Sequence, residues 1–447
     1  MSALPPGAAE RGVEPRVPGR AVVIGPYVAE RGAGNGAGRS PEARLDEAVG
    51  LARAIDLDVV EAVAFALGTI RPATYIGTGK VEELKRVIEE AQAELAILDC
   101  ALSPVQQRNL ERAWGAKVLD RTGLILEIFG SRAHTREGSL QVELAHLSFQ
   151  KSRLVRSWTH LERQRGGFGF LGGPGETQRE ADRRLIQERI DRIQRDLDTV
   201  RKTRALHRRR RQRNALPTVA LVGYTNAGKS TLFNRLTDAG ALAADMLFAT
   251  LDPTLRSVGL PHGGAMILSD TVGFISDLPT QLVAAFRATL EEVLQADLIL
   301  HVRDISHPDS EAQAKDVRAV LAEIGVPDNG PVLEVWNKID SLPPDRREAL
   351  ANFVARQPPE TRPVPISALT GEGIETLLGI LEKRLGRTRP VLRVTLDSAD
   401  GGTLNWLYEN CEILERRDAN DGRIFLAVRA DAGQAEALRR RLGHRPD

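Results

Sequence analysis

The sequence predicts an α/β protein centred on a doubly wound sheet. A small α/β domain and an antiparallel helical hairpin precede that sheet, and a small α+β domain follows it. Three observations lead there. Apolar strands alternate with amphipathic helices over 20–138 and again over 216–388, the pattern of sheets with helical crossovers. Between these stretches the apolar spacing changes to threes and fours, which is helical. In the second stretch a Gly-rich turn, Gly223–Ser230, joins an apolar strand to a helix, at the strand end where doubly wound sheets take ligands.

Composition agrees with several domains. A chain of 447 residues is too long for one core, and size alone suggests about three units. Apolar residues at 42% and charged residues at 27% are an ordinary globular balance. A net charge of +1 excludes a polycation, so any nucleic-acid surface must be local. Aromatics at 4% argue against an extended base-stacking platform. Cys100 and Cys411 make neither a disulfide framework nor a structural zinc site and fit a reducing cytosol. The Pro/Gly-rich start lacks the apolar core of a signal peptide. No apolar run approaches the ~18–20 residues that cross a bilayer. A soluble, cytoplasmic, monomeric protein without stable membrane insertion is expected.

Residues 1–19 read as a disordered tail. In the first domain, 20–138, the expected strands are 21–24, 59–66, 95–98 and 118–119, and the expected helices 41–54, 81–91 and 104–114. Ser40 and Ser103 each stand before a Pro, a cap followed by a first helical position. The hairpin, 139–215, has one seam at Leu140, Leu144, Leu147, Lys151, Leu154, Trp158 and Leu161, and a second at Ile186, Ile190, Ile193, Leu197 and Val200. A Gly-rich segment, 165–175, joins them. The second helix runs into Arg201–Arg213, the densest positive charge in the chain, and Asn214–Pro217 breaks it. The third domain, 216–388, offers strands at 218–222, 265–269, 298–302, 332–336 and 364–366. The last, 390–447, offers strands at 391–396 and 423–428 and helices at 404–410 and 434–442.

The chemistry is concentrated in the third domain. Gly223-Tyr224-Thr225-Asn226-Ala227-Gly228-Lys229-Ser230 fits G-x-x-x-x-G-K-[ST] between a strand and a helix. Its glycines let backbone N–H groups close around phosphate oxygens, and the helix N-terminus adds partial positive charge. Lys229 should reach the β- and γ-phosphates, and Ser230 should give its hydroxyl to Mg²⁺. Asp270-Thr271-Val272-Gly273 ends the next strand. Its carboxylate can hold a Mg²⁺-bound water and Gly273 can offer its N–H to the γ-phosphate. Asn337-Lys338-Ile339-Asp340 follows a third strand. The Asp340 carboxylate can accept from both guanine N1–H and the exocyclic amine, which adenine cannot supply, so GTP and GDP are favoured over adenine nucleotides. Ser367-Ala368-Leu369 can give a backbone N–H to guanine O6.

These motifs resemble the translation-factor-related class of GTPases. The narrower marks are Phe248-Ala-Thr-Leu-Asp-Pro-Thr254, Asp270-Thr-Val-Gly-Phe274 and Gly166-Gly-Phe-Gly-Phe-Leu-Gly-Gly-Pro-Gly-Glu-Thr-Gln178. Together, over about 71–385, they resemble HflX, a family of ribosome-associated GTPases. The resemblance implies a P-loop GTPase domain whose first switch includes Phe248, Ala249, Thr250, Leu251 and Asp252. In it Thr250 would bind Mg²⁺ and sense the γ-phosphate, with Lys229 and Gly273 completing the catalytic set. By spacing alone Thr254 competes with Thr250 for that role. The resemblance also implies that the hairpin loop, with Phe168 and Phe170, reaches RNA of the large ribosomal subunit. GTP-dependent binding would then split or rescue stalled or idle ribosomes.

Phe274 stands where a Ras-like enzyme carries the Gln that orients the attacking water. Slow intrinsic hydrolysis, completed by the ribosome, is therefore expected. The resemblance to related GTPases with an apolar residue after D-x-x-G implies that Asn226 could help bind K⁺ as a helper cation, the alternative being that it braces the loop, and no arginine finger in cis is evident. Arg208, Arg209, Arg210 and Arg211 suit phosphate contact. The competing reading is a regulatory switch whose seams bind a protein partner without RNA. Gly77-Thr-Gly79-Lys80 is too short for a phosphate loop and reads as a structural turn.

Overall fold

The computed structural model describes residues 19–28, 39–162, 174–212, 216–237, 248, 254–261, 264–276, 292–327, 330–386, 391–419, 422–430 and 432–442. They form two compact units. The first takes in Gly19–Val28 and Ser40–Ile125; the second takes in Arg39 and the described residues from Leu126 onward.

In the first unit β1 (Arg20–Val28), β2 (Asp58–Leu67), β3 (Leu95–Leu98) and β4 (Lys117–Asp120) make a parallel sheet in the order β2-β1-β3-β4. The central strand β1 is buried from Ala21 to Tyr27, as an apolar run covered on both faces should be. The crossovers are α1 (Pro41–Arg53), α2 (Thr78–Glu90) and α3 (Pro104–Trp114). Ser40 Oγ accepts from Ala43 N–H at 3.1 Å, and Ser103 forms a capping box with Gln106. Each cap is worth about 1 kcal/mol. Lys80, beside Gly79, donates to Glu83 at 2.7 Å and lies 4.7 Å above the Phe65 ring. The Gly-Lys turn thus opens α2 as a structural element. At the C-terminal ends of these strands Arg121 is buried between Asp99 and Glu47, at 2.5 Å from each, and Tyr27 donates to Asp99 at 2.9 Å.

A helix that the sequence reading missed, α4 (Arg121–Arg132), follows β4 directly. Its Leu124, Ile125, Leu126, Ile128 and Phe129 are all buried, so it lacks the polar face that periodicity detects.

The second unit contains the hairpin, α5 (Arg136–Glu162) and α6 (Pro174–Gln212). Ile190, Ile193 and Leu197 of α6 are buried, as its seam predicts. Among the described side chains of α5 the buried apolar positions are Val142 and Ala145, with Leu140, Leu144 and Leu147 half-buried; the side chains of Leu154, Trp158 and Leu161 lie outside the description. Helix α5 also reaches α4 at one point, where the His146 ring lies 3.3 Å from the Leu126 carbonyl oxygen. Lys151, the polar interruption of the seam, donates to Gln187. Arg189 donates to Glu143 at 2.7 Å. These two ties set the helices antiparallel. Phe168 and Phe170 lie outside the described residues; Arg208–Arg211 lie on α6, their side chains outside the description.

The larger sheet has the order β10-β9-β8-β5-β7-β6. Its strands are β5 (Thr218–Gly223), β6 (Thr254–Gly259), β7 (Ala265–Asp270), β8 (Leu298–Asp304), β9 (Val332–Asn337) and β10 (Val364–Pro365). All neighbours are parallel except β6, which runs antiparallel to β7. Helices α7 (Lys229–Thr237), α8 (Ser310–Ile324), α9 (Pro344–Arg356) and α10 (Ile374–Gly386) accompany it. The core joins Val219, Leu221, Leu268, Leu300 and Val335 to Leu232, Phe233, Leu377 and Leu381.

A three-stranded antiparallel sheet ends the chain: β11 (Val391–Asp397), β13 (Arg423–Arg429) and β12 (Glu412–Asp418), in that order. Helices α11 (Gly401–Asn410) and α12 (Ala432–Leu442) bring Leu407 and Leu438 onto Val394, Leu396, Leu426 and Val428. Among the described residues no helix is long and apolar enough to cross a membrane.

Candidate nucleotide-binding site

The predicted motifs meet at the C-terminal edge of the larger sheet. Strand β5 is central and buried, so the loop after it, 223–228, starts from a fixed point. Two glycines are dictated by close approach. A Cβ on Gly223 would stand 2.2 Å from the Val302 carbonyl oxygen, and one on Gly228, at φ +90°, would stand 2.1 Å from Asn337 Nδ2. Leu232 N–H bonds the Gly228 carbonyl at 2.9 Å, closing the first turn of α7. The amides of Lys229, Ser230 and Thr231 therefore face outward at the helix start, the arrangement that binds anions.

Lys229 is buried and donates to the Tyr224 carbonyl at 2.7 Å. Burial pushes its amine down to about 8, with the nearby Asp270 carboxylate opposing the shift. Ser230 donates to Asp270 Oδ2 at 2.9 Å. Thr271 turns inward, its hydroxyl bonded to the Leu221 carbonyl at 2.5 Å. The next residues dock on the loop: Phe274 N–H donates to the Gly223 carbonyl at 3.0 Å, and Thr225 N–H donates to the Phe274 carbonyl at 2.8 Å.

The base-recognition loops are tied to the phosphate loop by one side chain. Asn337 donates to the Ala227 carbonyl at 2.8 Å and accepts from Ala368 N–H at 2.9 Å. Lys338 adopts the left-handed conformation, φ +66°, and pairs with Asp304 at 2.8 Å. Asp340 is exposed beside Ser341, while Ile339 is buried beneath it. Ser367 is buried and accepts from Thr370 N–H at 3.0 Å. Arg235 reaches back from α7 to the Ala368 and Leu369 carbonyls. A carboxylate and a loop amide thus stand at the same end of the sheet as the phosphate loop, where a guanine edge can meet both.

Of the first switch only Phe248 and Thr254 are described. Phe248, at φ +57°, meets Phe129 of α4 edge-on, with centroids 4.8 Å apart. Ala249, Thr250, Leu251 and Asp252 lie outside the described residues. Asn226, at φ +58°, is exposed at the bend of the phosphate loop. Sequence reasoning missed Arg39, whose side chain meets Tyr224 and Ser276. An isolated Arg nearly 190 residues before the loop carries no local signal.

Known families match along the chain. One described as "GTP-binding GTPase N-terminal" matches 42–130, "GTP-binding GTPase Middle Region" 132–211, "50S ribosome-binding GTPase" 218–338 and "HflX C-terminal domain" 353–447. The GTPase HflX of Magnetococcus marinus is 54% identical over 87% of this chain and 88% of its own length. The chain belongs to the GTPase HflX family. The HflX of Escherichia coli (strain K12) is 45% identical over 86% of this chain and 89% of its own. Among solved structures, the complex of SsGBP and GDP aligns at 25% identity with a TM-score of 0.48, covering 83% of this chain and 99% of that one. HflX proteins are GTPases, and this chain is a GTP hydrolase with a P-loop GTPase fold. In that fold the segment Asp270–Phe274 lies against the phosphate loop, through Ser230 and Asp270 and through Phe274 with Gly223 and Thr225.

Proposed function

We infer that this GTPase docks on the large ribosomal subunit and, in a GTP-driven cycle, splits or rescues stalled or idle ribosomes. The observation that carries the reading is the match of 218–338 to a family described as 50S ribosome-binding. It occurs in a chain whose longest described helix, α6, carries the positive run that begins at Arg201.

The residues present fit Mg²⁺. A hydroxyl and a carboxylate, Ser230 and Asp270, stand 2.9 Å apart beside Lys229, a hard-oxygen donor pair of the kind this ion takes. Thr250 would add its hydroxyl. When bound, the ion neutralises charge on the β- and γ-phosphates. The protein's own groups do the rest. The α7 amides and the Lys229 ammonium hold the phosphates, Gly273 N–H meets the γ-phosphate, and Asp340 with the Leu369 amide selects guanine. Phe274 is apolar and buried, so it cannot orient a water. The ribosome supplies that function, with K⁺ held near Asn226 as a second aid. Arg208–Arg211, Phe168 and Phe170 are the RNA contacts in this reading.

Co-sedimentation of the full chain with 50S subunits tests the proposal. A non-hydrolysable GTP analogue should give stronger binding than GDP, and binding should fall steeply with salt, by roughly 0.7–0.9 log units per tenfold salt for each phosphate contacted. Binding indifferent to both nucleotide and salt would point instead to a protein partner.

A further inference from the structure

Arg39 stands directly before Ser40, yet its side chain belongs to the nucleotide site and is only 8% exposed. Its Nη1 donates to Tyr224 Oη at 2.8 Å and to Ser276 Oγ at 2.9 Å. Its Nε lies 3.5 Å from Asp309 Oδ2, and its guanidinium lies 5.4 Å from the centre of the Tyr224 ring. Tyr224 Oη also accepts from Ser276 N–H at 2.8 Å and donates to Ser276 Oγ at 3.1 Å. Tyr224 is part of the phosphate loop, and Ser276 lies three residues after Gly273. The cluster therefore fastens the segment after Asp270–Gly273 to the loop, next to the backbone bridge that Phe274 makes with Gly223 and Thr225.

This fastening has a steric consequence at the phosphate end. Gly273 stands against Lys229: a Cβ in its place would be 3.0 Å from Lys229 Nζ and 3.0 Å from Thr225 Cα. Lys229 can swing its ammonium to a γ-phosphate, but Gly273 is also held against the Thr225 backbone, so a γ-phosphate that accepts from Gly273 N–H has to move Gly273 off the loop. Phe274 and Ser276, three residues of chain at most from Gly273, must shift with it. A diphosphate, which ends at the β-phosphate, makes no such demand. Charged hydrogen bonds made by a largely desolvated guanidinium are strong and directional, so releasing Ser276 costs free energy only when the third phosphate is present.

We propose that Arg39 is a positioning residue that sets the preference between guanosine di- and triphosphate. It acts through Tyr224 and Ser276, holding the Gly273–Ser276 segment on the phosphate loop and thereby favouring the diphosphate. The proposal rests on the reading of Gly223–Ser230 as the phosphate site. An arginine suits the task because one planar fork serves two hydroxyls and a carboxylate, which a lysine cannot do.

The test uses the full chain with Arg39→Ala, Arg39→Lys, Tyr224→Phe and the double variant R39A/Y224F. Fluorescent GDP and a fluorescent non-hydrolysable GTP analogue are titrated against each. In Arg39→Ala the affinity for the analogue relative to GDP should rise at least fivefold, and Arg39→Lys should follow it. Tyr224→Phe should shift the ratio in the same sense, and the double variant should fall short of the product of the two single shifts, because both residues hold Ser276 and bond each other. An unchanged ratio in both Arg39 variants overturns the proposal. So does a double variant whose shift is the full product of the two singles, because Arg39 would then act independently of Tyr224. A wild-type chain that binds neither nucleotide would instead defeat the underlying assignment of the phosphate site, a separate outcome.

Discussion

Lys229 shows how one residue carries both the strain and the use of the site. Its amine is buried, and desolvation lowers it to about 8 from an ordinary 10.5. In the free chain it loses its proton above pH 8, whereas an unfolded chain keeps that proton until about 10.4. Stability of the free chain therefore gains from this residue as pH rises through that window, because a buried charge is relieved. Nucleotide binding runs the other way, since phosphate needs the ammonium. GDP affinity should be flat below pH 8 and fall about tenfold by pH 9, the slope of one proton per tenfold. Titration of fluorescent GDP from pH 6.5 to 9 measures this, with Lys229→Met as the control that should show a flat profile. A wild-type affinity constant across the range would show that the Lys229 amine keeps its proton in the free chain and that burial does not lower it into this window.

At the scale of elements, the hairpin depends on a narrow seam, because α6 buries Ile190, Ile193 and Leu197 and leaves most of its other described side chains exposed. Leu197→Ala should cost about 2–4 kcal/mol of local stability. Hydrogen exchange should show it as faster exchange in α5 and α6, with β5 unchanged; equal acceleration in β5 would mean the hairpin does not open by itself. The same elements show what a sequence can and cannot reveal. Strands β3, β5, β7 and β9 were legible because they are apolar runs ending in chemistry: Asp270 ends β7 and Asn337 ends β9. Helices α1 and α3 were legible from their Ser-Pro caps. Two edge strands, β6 and β12, were not. Strand β6 buries only Val258, and β12 reads Glu-Ile-Leu-Glu-Arg-Arg-Asp with most of it exposed, so neither has the alternation that marks a strand. Helix α4 failed for the opposite reason, being apolar nearly all round. In the site the motifs named which residues assemble, but not that Thr271 bonds the Leu221 carbonyl or that Asn337 ties two loops. Those roles depend on partners tens of residues away.

For the whole molecule, the nucleotide motifs and the charge proposed to dock lie in different places along the chain. The site lies on β5, β7, β9 and the loop after β10, while the positive charge of Arg208–Arg211 sits on α6. Reversing those four residues to Glu should therefore lower 50S co-sedimentation at least tenfold near 0.1 M salt, since the lost phosphate contacts become repulsions. GDP affinity of the free chain should stay within about twofold, as distant independent sites are expected to behave. A parallel loss of GDP binding would show that the α6 charge supports the nucleotide site directly.

The bond between Asn337 and the Ala227 carbonyl spans 110 positions of sequence. That distance imposes an order in time. As the polypeptide is synthesised, the phosphate loop is chemically complete once Ser230 has been added, but its brace is not. A further hundred or so residues must emerge, including β8 and β9, before Asn337 can take hold of the loop and, later still, of Ala368. At synthesis rates of ~5–20 residues per second, the nascent chain spends roughly 5–20 s with a phosphate loop that lacks its clamp. The brace of the phosphate loop is thus made only after the strands that position it have been synthesised.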